Sequence, residues 1–196
     1  MGSTGFRHDH SHHHAVQFYS TDQSLIRTVA GFLSEGLAAG QPALVVATPA
    51  HRVAIAEALM RRGADPQQAL RTGDLIVLDA EATLDLFIVD GAPDPALFEE
   101  NVGRLVEQAL NGRDTVVVRA YGEMVDVLWK QGRPDAAIQL EMLWNKLARK
   151  YSFALLCGYA MGSFYKQTHR LDEVIAQHTT VIPHDTDAGR FAALRR

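Results

Sequence analysis

One stretch limits the possible folds more than any other. Thr115-Val116-Val117-Val118-Arg119-Ala120-Tyr121-Gly122-Glu123-Met124 is an apolar run that ends in Arg, Tyr, Gly and Glu where a helical pattern begins. An apolar run without alternation, bounded by turn signals, fits a strand buried on both faces, as in parallel sheets. In open parallel sheets ligands gather outside the carboxyl ends of the strands. Arg119, Tyr121 and Glu123 are therefore expected at such an end, forming the floor of a candidate site.

The same strand-then-helix alternation runs through the chain. Residues 15–19 give a first strand, followed by a helix whose Leu25, Ile26, Val29, Phe32, Leu33 and Leu37 share one face. Ser20 and Gln23 have capping-box spacing and Gly40 stops that helix. Residues 42–47 give a second strand, and Thr48-Pro49 a cap and first-turn proline for a helix to about Arg62. A short turn of helix near 66–71 precedes a third strand at 74–79, and 80–89 reads as a short helix. Asp94-Pro95 opens a longer helix closed by Gly112. After the fourth strand, a helix from 123 to 130 breaks at Gly132-Arg133-Pro134 and resumes to about Lys150. A fifth strand at 152–159, a helix at 168–178 and a small edge strand at 180–182 follow. Crossovers of this length imply parallel pairing, so the expectation is a three-layer α/β domain on a mostly parallel sheet of about five strands. Strands 14–19 and 116–121 are expected side by side.

With 196 residues one domain is expected, large enough to bury about 70% of its unfolded surface. A net charge of −4 with scattered Lys and Arg gives no footprint for direct nucleic-acid binding. No apolar run has membrane-spanning length, and the single cysteine, Cys157, excludes an internal disulfide, so a cytoplasmic protein is expected. Residues 1–13 read as a disordered His-rich leader and 183–196 as a loose tail. His8, His10, His12, His13 and His14 are the only run of metal-type ligands in the sequence, and no motif marks a metal or cofactor.

The nucleotide signatures are missing. The first strand–helix junction, Phe18-Tyr19-Ser20-Thr21-Asp22-Gln23, has neither the glycines nor the lysine of a phosphate loop, and GxGxxG and GxSxG are absent. Tyr19, Arg119, Tyr121, Glu123 and Tyr159 all fall at or just past predicted strand ends. They fit a small-molecule pocket with aromatic walls and a charged pair. The bland alternative is an Arg119–Glu123 ion pair capping the next helix, with boundary tyrosines. Glu141, Trp144 and Asn145 share a helix face, with Trp144 expected in the core and Glu141 either on the surface or a buried partner for Arg119. Trp129 is expected to pack under a neighbouring helix, and Cys157 to act as a small hydrophobe. His169 is expected to be structural or solvated. His178 and His184 could fold back over the site.

These residues also resemble a known family. His14-Ala15-Val16-Gln17-Phe18-Tyr19 is similar to the HxxxFY opening of the MEDS domains, the methanogen/methylotroph sensory domains of the dichloromethane-repressor type. Further matches are Phe32-Leu33-Ser34-Glu35-Gly36-Leu37 with Gly40, Arg119-Ala120-Tyr121-Gly122-Glu123-Met124, Leu140-Glu141-Met142-Leu143-Trp144-Asn145 and Leu155-Leu156-Cys157-Gly158-Tyr159. They span about residues 14–182. The resemblance implies a RecA-like fold, akin to the circadian-clock ATPases without the phosphate loop. It implies a non-catalytic sensory module for an unidentified small molecule, such as a hydrocarbon derivative, signalling to a protein partner such as a histidine kinase. It adds His14, Phe18, Glu141 and Trp144 to the ligand-binding candidates, and Gly122, Asn145 and Cys157 to the motif positions. Two alternatives stand beside it: a residual nucleotide-binding protein or enzyme using the RecA-like crevice, and a structural interaction or homodimerisation module.

Overall fold

The computed structural model describes residues 13–113, 115–164 and 170–182. The leader histidines His8, His10 and His12, His169, His184 and the tail lie outside the described residues. The chain runs β1 (His13–Tyr19), α1 (Asp22–Ala38), β2 (Ala43–Ala47), α2 (Pro49–Arg61), α3 (Pro66–Thr72), β3 (Leu75–Asp79), α4 (Ala80–Leu84), β4 (Ile88–Val89) and β5 (Ala92–Pro93). It continues through α5 (Pro95–Leu110), β6 (Val118–Gly122), α6 (Met124–Lys130), α7 (Pro134–Leu147), β7 (Phe153–Ala160), a 3-10 turn (Met161–Phe164), α8 (Leu171–Ala176) and β8 (Thr180–Ile182).

Six strands form one sheet in the order β3-β2-β6-β7-β1-β8, with every neighbouring pair parallel. The expected three-layer α/β fold is correct; the sixth strand is the small edge piece β8. β1 and β6 are not side by side, because β7 lies between them, in register His14 to Leu155 on one side and Arg119 to Ala154 on the other. Side chains alternate across the sheet. Val16, Phe18, Leu44, Val46, Val118, Ala120, Leu155, Cys157 and Tyr159 face a core completed by Phe98, Val102, Leu140 and Trp144 of α5 and α7. Ala15, Tyr19, Val45, Tyr121 and Leu156 face a second core completed by Leu25, Val29, Leu33 and Ile55 of α1 and α2. Phe98 meets Trp144 edge to face at 5.3 Å, and Trp144 meets Phe153 at 5.8 Å. Such pairs add about 0.5–1.5 kcal/mol each beyond the area they bury.

Several boundaries differ from expectation for local reasons. α1 is capped by Thr21, whose hydroxyl accepts from the Ser24 N–H, rather than by a Ser20–Gln23 box. Gly40 follows that helix at φ +73, the left-handed conformation glycine tolerates best. The helix expected over 80–89 ends at Leu84, since Asp90 and Gly91 at positive φ turn the chain into the β4–β5 hairpin. β6 starts at Val118, three residues later than the apolar run begins, because its partners Ala43 and Phe153 set where pairing starts. The expected last helix is confined to Leu171–Ala176 among the described residues.

Candidate functional site

β2 leaves the sheet at Ala47 and passes through Thr48 into α2, with Pro49 and His51 in its first turn. β6 ends at Gly122, still paired with Val46 and Cys157, and delivers Glu123 to the start of α6. These two exits lie side by side, and their polar groups meet. Glu123 is 2% exposed. One carboxylate oxygen accepts the Thr48 N–H at 2.5 Å; the other faces His51 Nδ1 at 2.6 Å and accepts the Tyr121 hydroxyl at 2.7 Å. Burial pushes this carboxyl up, but the His51 ring and the Thr48 N–H outweigh burial and hold it below its ordinary value. The same bond to Glu123 raises His51 against the opposing effect of burial. The far nitrogen of His51 lies 3.5 Å from Oδ1 of Asp22, in the first turn of α1, whose side chain is 75% exposed.

β1 brings Tyr19 to the same end. Its ring meets His51 edge to face at 6.3 Å, and its hydroxyl donates to Asp126 Oδ2 at 3.2 Å. Asp126 also accepts the Ala160 N–H at 3.1 Å and the Ser163 hydroxyl at 3.3 Å, and pairs with Lys130 at 2.7 Å. Burial first, then Asp126 and Glu123, raise the Tyr19 hydroxyl; burial and Glu123 raise that of Tyr121. Both stay protonated near neutral pH and act as donors. The exits of β1, β2, β6 and β7 thus share a network of two carboxylates, one imidazole and two tyrosines, with a polar route to solvent through His51 and Asp22.

A second cluster lies on the other face of the sheet. Glu141 of α7, His14 of β1, Cys157 and Tyr159 of β7, and His178 after α8 converge in the dry interior; the side chains of His14, His178 and Glu141 are all 0% exposed. His14 Nε2 is 3.2 Å from Glu141 Oε2 and 3.3 Å from Cys157 Sγ. Cys157 Sγ is 3.4 Å from Glu141 Oε2, and His178 Nε2 is 3.4 Å from Oε1. The Tyr159 hydroxyl donates to Oε1 at 2.9 Å. Burial pushes Glu141 up, but the His178 and His14 rings overcome it and draw the carboxyl well below its usual range. Burial and the Glu141 charge push the Cys157 thiol and the Tyr159 hydroxyl up. Two imidazoles, a thiol and a carboxylate are the groups that ligate borderline-soft divalent ions.

The sequence-predicted residues therefore separate into three places. Tyr19, Tyr121 and Glu123 meet at the strand exits. His14, Glu141 and Tyr159 meet in the buried cluster, beside Phe18 and Trp144 in the adjoining core. Arg119 does neither. As the second residue of β6 it stands at the entering end of the strand, about 13 Å from Glu123 at ~3.3 Å per residue. Its Nε donates to Gln41 Oε1 at 2.7 Å and its guanidinium lies over Phe32 at 4.9 Å. An Arg119–Glu123 ion pair is not formed, and Glu141 is the partner of histidines rather than of Arg119. Arg119 therefore does not border the strand exits alongside Tyr19 and Glu123. Hollows of about 500 and 490 Å³ instead open at the entering edge of the sheet, one among Leu110, Arg113, Tyr151 and Ser152, the other among Gln41, Asp65, Asp74 and Arg113.

Sequence reasoning passed over His51 and Asp126, and placed the only metal-type ligand cluster in the leader. Asp126 carried a signal: it is a lone acid in the apolar run Met124-Val125-Asp126-Val127-Leu128. His51 carried a weaker one, its place in the first turn of a helix just past a strand end. The cluster of His14, Glu141, Cys157 and His178 joins residues up to 164 positions apart, so no spacing rule could reveal it.

The fold defines a three-layer α/β domain built on a parallel sheet, with polar groups collected where several strands end. The family model of the MEDS domain, the methanogen/methylotroph, DcmR sensory domain, matches residues 13–179, and the chain belongs to this family of sensory domains. Membership supports a sensory or regulatory role. No individual curated protein matches the chain. Among the described residues no helix is long and apolar enough to cross a membrane.

Proposed function

We propose that this chain is a non-catalytic sensory module that binds a small molecule at the exits of β1, β2 and β6 and passes the bound state to a protein partner. The observation that carries this reading is the polar route Asp22–His51–Glu123, which leads from an exposed carboxylate to a buried one at the strand ends. A ligand bearing a hydrogen-bond acceptor would take the place of the Asp22 side chain at His51 Nε2, and its apolar part would lie against the Tyr19 ring. The family supports sensing, and crevices at strand exits are where open parallel sheets bind ligands. Because Thr48 and Glu123 stand at the starts of α2 and α6, a change in this network would reach both helices and any partner docked on them.

The test is thermal unfolding across a panel of small carboxylic acids, alcohols and halogenated one- and two-carbon compounds. A ligand at 100 times its Kd stabilises the fold by about 2.7 kcal/mol, a rise in Tm of roughly 5–11 °C for a chain of this size. Glu123→Gln and His51→Gln are expected to abolish that rise. A panel without any stabilising member, or stabilisation equal in both variants and the parent, would count against the reading.

A further inference from the structure

The buried cluster on the other face of the sheet gathers two imidazoles, a thiol and a carboxylate whose donor atoms all lie close together. His14 Nδ1 faces Asn145 Oδ1 at 2.9 Å, and the Asn145 amide is oriented by donating from Nδ2 to the Gln177 carbonyl at 2.9 Å. An amide oxygen only accepts, so Nδ1 of His14 carries the proton and Nε2 presents its lone pair when the ring is neutral. His178 is arranged the same way: Nδ1 faces the Val174 carbonyl at 2.7 Å, which turns Nε2 toward Glu141 Oε1 at 3.4 Å. Nε2 of both rings, the Glu141 carboxylate and the Cys157 thiol thus converge on one point.

We propose that His14, Glu141, Cys157 and His178 form a closed, four-coordinate site for a divalent transition ion of the zinc class. All four donor atoms lie within 4.8 Å of one another. With Oε2 as the carboxylate donor, three of their separations are 3.2, 3.3 and 3.4 Å, and His178 Nε2 lies 3.4 Å from the other carboxylate oxygen. A tetrahedral zinc centre with bonds of 2.0–2.3 Å has edges of about 3.3–3.6 Å. The charges also close. Binding releases the Cys157 proton to solvent, and one thiolate, one carboxylate and two neutral imidazoles balance the ion's two positive charges. Asn145 and the Val174 carbonyl hold the two imidazoles by their outer nitrogens, the arrangement that orients metal-bound histidine, and Tyr159 holds the carboxylate.

Three ligands come from the rigid centre of the fold, in β1, α7 and β7; the fourth follows α8. Next to it, Thr179 bonds back to the His14 carbonyl through its N–H at 2.8 Å. The ion would therefore fasten the α8–β8 segment to the sheet. This inference does not depend on the reading of the strand exits.

The experiment uses the full chain with His8, His10, His12 and His13 replaced by Ala, so that leader imidazoles do not chelate. It is unfolded, stripped with a chelator and refolded with cobalt(II) chloride alone. The expected result is one cobalt per chain, with tetrahedral visible bands, a thiolate-to-cobalt charge-transfer band, and displacement by zinc. Cys157 is the sole cysteine, so that band reports it even if Cys157→Ser fails to fold. Asn145→Ala, a positioning change, is expected to weaken zinc binding about 10–100-fold while keeping the band at saturating cobalt. Cobalt uptake without a thiolate band, or no uptake, overturns the proposal.

Discussion

Glu123 and Glu141 are both buried carboxylates, yet the chain surrounds them in opposite ways. Glu123 has a backbone N–H, a tyrosine hydroxyl and an imidazole spread over its two oxygens, and one of those partners leads to the surface. Glu141 accepts from the Tyr159 hydroxyl and is faced by two imidazole nitrogens and a thiol in a buried interior. A carboxylate with enough donors and a route to solvent is fixed in orientation and suited to exchanging a neighbour for a ligand. A carboxylate buried against two imidazoles and a thiol suits a cation. The two faces of one sheet therefore carry two different chemistries.

The sharpest way to break this contrast is to remove each carboxylate in turn. Glu141→Ala leaves two imidazoles and the Tyr159 hydroxyl without their buried partner, and about 3–5 kcal/mol of stability is expected to go in urea unfolding. Glu123→Ala is expected to lose about 1–3 kcal/mol, because His51 can turn to Asp22 and water. The reverse order would contradict the comparison.

Next in size is Gly36→Ala. A Cβ at Gly36 would stand 2.4 Å from Arg119 Cγ, so Arg119 must leave Gln41, at a cost of about 1–2 kcal/mol. The His51 and Tyr121 resonances are expected to stay where they are, since Arg119 is at the other end of β6. Movement of the His51 signals would place Arg119 in the exit network after all.

The smallest effect is in pH. His51 is raised in the fold from 6.5, so its contribution is present below that value and fades as pH rises through its higher folded value. Glu123 is lowered from 4.5, so its contribution is present above that value and fades as pH falls through its lower one. The stability difference between parent and His51→Gln is expected to be greatest between pH 4.5 and 6.5 and to shrink on either side. A difference that grows above pH 7 would reverse the assignment.

Much of the architecture was legible in the sequence because periodicity and caps are local. Five of the six sheet strands were legible as apolar runs and the sixth, at 180–182, as a small edge piece; Thr48-Pro49, Asp94-Pro95 and Gly132-Arg133-Pro134 all mark real boundaries. Strand order was not legible, since nothing local announces that β7 inserts between β1 and β6. Arg119 was misplaced for a related reason. The apolar residues 115–117 look like the body of a strand and Tyr121-Gly122 like its end, but Gly122 still pairs on both sides, which moves the strand toward its polar residues. The candidate site was legible for Tyr19, Tyr121 and Glu123, which fall at strand ends in the sequence itself. His51 and the meeting of His14, Glu141, Cys157 and His178 depend on the packing of distant segments.

The most direct measurement of the central claim is an NMR titration of the parent chain with any compound that stabilises it, following the Thr48 amide, the His51 ring nitrogens and the amides around Arg119 and Gln41. The account predicts that Thr48 and His51 shift first and saturate with the ligand, while the Arg119 end stays still. Saturable shifts centred on Arg119 and Gln41, with Thr48 and His51 unmoved, would contradict it.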